Sequence, residues 1–304
     1  MQSSILIAGP TASGKTALAV ELAQKLDGAI INADSMQVYN GLLLLSASPT
    51  KEERRLVPHY LFNHVDPHIQ YSVGDWLRDA QSALAHIVEQ GKRPIFVGGT
   101  GLYFRALTHG LVEIPPIEEA FRQQLLDELG LKGCSALHDE LKAVDPELAA
   151  RVHINDQQRV LRGLEVYRAT GRALSLWQKE VTRPPLVQTE NAFCLMPSRD
   201  WLYQRCDTRF EGMMAAGALE EVAAFRANHK NVSGAAGKTL GLTELSAVLD
   251  GSMTQDAALA QAKMQTRRYA KRQMTWLRNQ MITSKRLSEQ DYYNNIGLFF
   301  SLVS

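Results

Sequence analysis

An α/β fold, with a parallel sheet flanked by helices and interrupted by an all-helical insertion, is what this 304-residue sequence predicts. Three observations predict it. Short apolar runs near Ile5, Ile30 and Phe96 alternate with helix-period stretches over 15–26 and 72–90, and βα alternation of this kind implies parallel pairing. A glycine-rich loop joins the first apolar run to the first helix. From Ile117 to about Glu180, between the proline pairs Pro115-Pro116 and Pro184-Pro185, every periodic stretch is helical. The expected division is 1–113 with 185–304 as an α/β core carrying C-terminal helices, and 114–184 as the insertion.

Taken in order, the run Ile5-Leu6-Ile7-Ala8 is the first strand and Gly9-Pro10-Thr11-Ala12-Ser13-Gly14-Lys15-Thr16 follows it directly. That spacing fits a P-loop, so the core is expected to be P-loop NTPase-like. Backbone N–H groups and a helix N-terminus surround a phosphate, Lys15 neutralises it, and the Thr16 hydroxyl holds magnesium. The second strand, Ala29-Ile30-Ile31-Asn32-Ala33, ends at Asp34, which suits a polar acceptor near the phosphate, a magnesium ligand or a turn cap. The third, Pro94-Ile95-Phe96-Val97, runs into Gly98-Gly99-Thr100-Gly101 without an acid, unlike the usual second strand of a nucleotide-hydrolysing P-loop protein. His59, His64 and His68 lie close together before it, but their spacing matches no metal site.

Inside the insertion, Asn155-Asp156 offers an N-cap, Val160, Leu164 and Tyr167 form an apolar face, and Gly171 stops the helix. The other face carries Gln157, Gln158, Arg159 and Arg162, too polar to be core. The chain returns through an apolar strand at Phe193-Cys194-Leu195. Between Lys263 and Arg286 the residues Arg267, Arg268, Lys271, Arg272, Arg278 and Lys285 occur with no acid among them, interleaved with Tyr269 and Trp276. A stripe of that kind tracks RNA phosphates. Leu298-Phe299-Phe300 suggests a packed end.

Composition fits an ordinary enzyme: 45% hydrophobic residues support one large core and a smaller satellite, and a net charge of +1 advertises no nucleic-acid partner by itself. Cys134, Cys194 and Cys206 form no CxxC spacing and no even set, which points to a reducing cytoplasm. No signal peptide or membrane-length apolar run is expected.

The ordered set GPTASGKT, NADSMQVY, GGTGLYFRAL, NDQQRVLRGLEVYRATGR and RRYAKRQMTWLR resembles the bacterial tRNA dimethylallyltransferases, the IPP transferase family, from Ile5 to about Arg278. The resemblance implies transfer of a dimethylallyl group from dimethylallyl diphosphate to the exocyclic amine of the adenosine 3′ of the anticodon (position 37), in tRNAs that read codons beginning with U. Within it, Asp34 is the proton acceptor, and Thr100 bonds the amine or the diphosphate. Lys15 and Arg205, with Arg209 second, stabilise the leaving group. Gly9, Pro10, Thr11, Ala12, Ser13, Gly14, Lys15 and Thr16 form the diphosphate site, with Mg2+ on Thr16.

The tRNA anticodon stem-loop is implied to meet Asp34, Ser35, Met36, Gln37, Thr100, Arg122, Gln157, Gln158, Arg159, Val160 and Leu161. Gln37 would pair with the adenine edge and Met36 would pack on its face. Two departures stand out: Gly41-Leu42-Leu43-Leu44-Leu45-Ser46-Ala47-Ser48-Pro49 replaces a GLDIGTAKP-like segment, and Gly241-Leu242 replaces a frequent Gly-Tyr pair. The rivals are transfer onto free AMP, a P-loop small-molecule kinase with ATP in the loop, and a non-enzymatic RNA-binding module. A monomer is expected, since one chain supplies every needed group.

Overall fold

The computed structural model describes residues 4–180, 182–232, 234–281 and 285–294; the Leu298-Phe299-Phe300 expectation lies outside them. The chain forms two compact units, residues 1–108 with 186–304, and residues 109–185.

In the first unit the chain runs β1 (Ile5–Ala8), α1 (Lys15–Lys25), β2 (Gly28–Asn32), α2 (Lys51–Leu56), β3 (His59–Tyr60), α3 (Val73–Glu89), β4 (Arg93–Gly98) and α4 (Gly101–His109). The insertion holds α5 (Glu119–Val144), α6 (Pro146–Arg151), α7 (Gln157–Thr170) and α8 (Leu174–Trp177). The first unit resumes with β5 (Ala192–Leu195), α9 (Arg199–Ala215), α10 (Ala218–Asn228), a short 3-10 turn (Ala236–Lys238), α11 (Leu242–Leu249), α12 (Gln255–Gln280), β6 (Lys285–Leu287) and α13 (Glu289–Asn294).

The sheet has six strands in the order β3-β2-β4-β1-β5-β6, and every neighbouring pair is parallel. Residues 5–8 of β1 and 28–32 of β2 are buried throughout, as expected for strands covered on both faces. Helix α3 shows why the sequence folds this way. Ser72 caps it reciprocally with Asp75, while Trp76, Leu77, Ala80, Ala83 and Ile87 recur at helical spacing and face the core. Because β2, β4 and β1 are adjacent and parallel, their carboxyl ends bring the loops after Asn32, Gly98 and Ala8 to one edge, where ligands of open parallel sheets bind.

In the insertion, Leu125, Leu137, Leu141, Leu148, Val160, Leu161 and Leu164 form a core of their own. Asp145 is buried, and its carboxylate accepts from the Leu148 and Ser175 N–H groups, fixing α6 and α8. Helix α7 begins at its expected cap, where Asp156 accepts from Arg159 N–H, and ends at Gly171 with φ of 69°. Among the described residues no helix is long and apolar enough to cross a membrane.

Candidate active site

The loop after β1 wraps the start of α1, which opens at Gly14 with φ of 91°, a left-handed conformation that glycine adopts without strain. Residues in the first turn of a helix have N–H groups without acceptors inside it, so those of Lys15 and Thr16 are available to an anion. The Lys15 ammonium donates to Pro10 O at 2.7 Å. Burial brings its pKa from 10.5 down to about 8, against the opposing pull of Asp34.

Two arginines of α9 reach the same loop. Arg209 Nη2 donates to Thr11 Oγ1 at 2.5 Å, while its Nε is buried without a hydrogen-bond partner and desolvation lowers its pKa. Arg205 is exposed, donates Nε to Ala12 O at 3.0 Å and stacks its guanidinium over Trp201. Arg209 is thus the more sequestered of the two and Arg205 the more exposed, and both line the same cavity. One helical turn separates them, and the deeper position belongs to the residue facing Thr11.

Asp34 is held by its neighbours. The buried Asn32 side chain accepts from Asp34 N–H at 2.9 Å and donates to Asp34 O and Leu61 O, while Trp76 Nε1 donates to Asn32 O. One Asp34 oxygen accepts from Met36 N–H at 3.0 Å. Thr100 Oγ1 accepts from Ser35 N–H at 2.8 Å and lies 3.1 Å from Ser35 Oγ. The glycines before Thr100 permit close approach: a Cβ at Gly98 would collide with the Ala33 carbonyl, and one at Gly99 would collide with Gln273 Nε2.

Sequence reading did not find Gln273 as a site group. Gln273 is 6% exposed, accepts from Thr11 N–H at 2.8 Å and donates to Gly99 O at 3.0 Å, bridging two loops that are distant in sequence. The available signal was its spacing on α12, where Tyr269, Gln273 and Trp276 fall on one face.

A cavity of about 270 Å³ gathers these groups, lined by Thr11, Lys15, Thr16, Asp34, Arg205 and Arg209. A smaller cavity shares Asp34 and Arg209 and adds the apolar Met36, Leu45, Phe210 and Met213. Cations, a carboxylate and an apolar recess thus share one edge of the sheet, a combination that suits an ionic ligand carrying a hydrophobic group. Oxygen donors at Thr16 and Asp34 fit a hard divalent ion such as Mg2+.

Other expected site residues are placed differently. Gln37 Nε2 donates to Ser46 O and Ala47 O at 3.1 and 2.7 Å, so its amide hydrogens hold the 46–47 turn and are not free to read a base edge. Val160 and Leu161 are 0% and 4% exposed; both side chains are core of the insertion and are not an RNA surface. Arg122 Nη1 lies 3.7 Å from the buried carboxylate of Glu165, and Arg159 pairs with its own cap Asp156 at 2.7 Å. Gln157, Gln158 and Arg159 are exposed. Within the basic stripe, Arg267 is bound by both oxygens of Asp207, whereas Arg268, Lys271 and Arg272 line an open groove beside Trp276.

The family model described as IPP transferase matches residues 37–280, and a model described as isopentenyl transferase matches residues 2–64. The chain belongs to the IPP transferase family. It is 47% identical over 280 residues to the tRNA dimethylallyltransferase of Sinorhizobium medicae, covering 91% of this chain and 92% of that relative. Its fold is similar to the full-length tRNA isopentenylpyrophosphate transferase of Bacillus halodurans, with a TM-score of 0.69, 33% identity, and coverage of 100% and 97%. It is also similar to a eukaryotic dimethylallyltransferase acting on tRNA, with a TM-score of 0.82, 29% identity, and coverage of 99% of this chain and 78% of that one. The IPP transferase match spans both units, so membership does not rest on the phosphate loop alone.

Proposed function

We propose that this chain transfers the dimethylallyl group of dimethylallyl diphosphate onto the exocyclic amine of the adenosine 3′ of the anticodon in tRNAs reading U-initial codons. The observation that carries this reading is the pairing of two desolvated cations, Lys15 and Arg209, with Asp34 around one cavity in a member of this family.

In the reaction a bond forms between the amine nitrogen and C1 of the allyl group. The C1–O bond breaks, and diphosphate leaves with the electron pair. Lys15, Arg209 and the first-turn N–H groups of α1 meet the negative charge that develops on the departing oxygens, so their stabilisation is greater in the transition state than before it. Asp34 accepts the proton released from the amine, its position fixed from behind by Asn32. Thr100 orients the amine from the adjacent turn, itself steadied by Ser35. The Thr16 hydroxyl would hold a divalent ion such as Mg2+, which when bound would supply charge neutralisation to the leaving diphosphate.

An adenine stacked in a loop hides the edge that must react, so it has to leave the stack to reach Asp34. Support for RNA as the acceptor comes from the exposed Gln157, Gln158 and Arg159, and from the groove of Arg268, Lys271 and Arg272. Labelled dimethylallyl diphosphate with Mg2+, offered unmodified tRNA, AMP or neither beside an ATP-hydrolysis control, tests the reading. Label entering tRNA alone supports it, whereas label in AMP or magnesium-dependent ATP hydrolysis overturns it.

A further inference from the structure

We propose that Asp66, His68 and His229 form a binding site for one divalent transition-metal ion of the zinc class. One potential ligand atom from each lies within 4.8 Å of the others. Two imidazoles and a carboxylate are the three-protein-ligand set in which zinc keeps a fourth position for water.

The surroundings single out this trio from the other histidines of the same loop. His59 Nδ1 is engaged with Val57 O at 2.9 Å and its ring packs edge-on against Phe62. His64 Nε2 faces Tyr71 Oη and Asp79 Oδ2, at 3.4 and 3.5 Å. His68 and His229 differ: among the described residues neither imidazole has a hydrogen-bond or ion-pair partner, and their centroids lie 5.7 Å apart. Nitrogens of this kind are free to take either tautomer and to ligate.

The scaffold beneath them is firm. Asp66 Oδ1 accepts from His68 N–H at 2.9 Å, which fixes the two residues relative to each other and leaves Oδ2 available. Residue 65 bridges in parallel to Tyr39 and accepts from Asn40 N–H. On the other side, His229 closes α10 by donating its N–H to Phe225 O at 2.8 Å, and the Phe225 ring packs against its imidazole at 5.0 Å. A Cβ at Gly41 would lie 2.8 Å from the Phe225 ring, so the glycine lets the backbone pass beside the residue that packs on His229.

Tetrahedral zinc, with ligands at roughly 2.0–2.2 Å, needs them about 3.4 Å apart. The separations must then shorten by at most about 1.4 Å, which rotation of the exposed Asp66 and His68 side chains and the half-buried His229 supplies. Bound there, the ion would tie the 61–68 loop to the end of α10. That loop is joined to the segment after Asp34 through Asn63 N–H to Gln37 O and His64 N–H to Val38 O.

The test is a Co2+ titration of the untagged full chain, with Mg2+ in large excess to fill the oxygen-donor position at Thr16. Stoichiometric binding at micromolar Co2+ is expected, with a visible d–d spectrum characteristic of nitrogen ligation, displacement by Zn2+, and a rise in Tm. All of these are lost in H68A/H229A and reduced in D66N, and they are retained in H64A and T16A. Binding that persists in H68A/H229A, that disappears in T16A, or that requires millimolar ion overturns the site.

Discussion

The phosphate-loop edge of the sheet and the helical insertion use the same cations in opposite settings. Among the described residues, Lys15 and Arg209 have no carboxylate within 4.0 Å, and burial lowers the pKa of each. In the insertion, Arg122 and Arg162 share Glu165, Arg159 holds Asp156, and Arg168 bridges Glu128 and Glu140 at 2.7 Å each. There Arg168 keeps the Glu128 carboxyl down to about 2. The difference teaches how to separate binding groups from scaffold in one family of side chains. A desolvated cation with no ion-pair partner gains most from an arriving anion, whereas a cation paired near the surface already has its partner.

The comparison breaks most visibly at Asp34. Asp34→Ala is expected to lower the single-turnover rate by roughly 10²–10⁴-fold while leaving tRNA affinity nearly intact; comparable losses in rate and affinity, measured separately, would remove it from the proton-acceptor role. Next come Lys15→Met and Arg209→Gln, each expected to reduce kcat by about 10²–10³. Arg205→Gln should cost less because its guanidinium is already exposed, and an equal or larger effect would make Arg205 the main diphosphate contact.

In the insertion the largest effect is on stability. Leu161→Ala should destabilise the unit by about 2–5 kcal/mol in denaturant unfolding, as for a buried leucine and not for an RNA-facing one. Proton linkage sharpens the contrast further. Because burial lowers Lys15 from 10.5 to about 8, its unfavourable contribution to folding is complete below pH 8 and relieved as pH rises to 10.5, so the ligand-free protein gains stability across that window. Diphosphate binding should move the other way, weakening roughly tenfold per pH unit above about 8, and titration calorimetry of Lys15→Met should show neither trend. The smallest effect belongs to Arg159→Ala, whose surface pair is worth less than about 1 kcal/mol of stability; a loss confined to tRNA binding would assign it to the RNA.

Whatever depends on neighbours in the chain was legible in the sequence. Gly14 before Lys15, Asp34 ending an apolar run, and Asp156 and Gly171 bracketing α7 each act within a few residues of where they stand. The groups that escaped notice act across the fold: Gln273 reaches Thr11 and Gly99, and His229 meets a loop far earlier in the chain. No local pattern reports that an amide on one helix will meet a particular loop. Val160 and Leu161 are a different case. Their apolar character beside Leu164 already marked them as core, and the family pattern placed them on the surface against that signal. The leucine-rich segment after Gly41 is explained across the fold: Leu42 and Leu45 pack with α10 and α11, while Glu221 accepts from the Leu44 and Leu45 N–H groups.

A single amide joins the phosphate loop to the turn beside it. The phosphate loop follows β1, yet the brace that joins it to the Gly99 turn is carried by Gln273, 262 residues beyond Thr11. The loop therefore owes its finished shape to a contact made across the fold and not to its own motif alone.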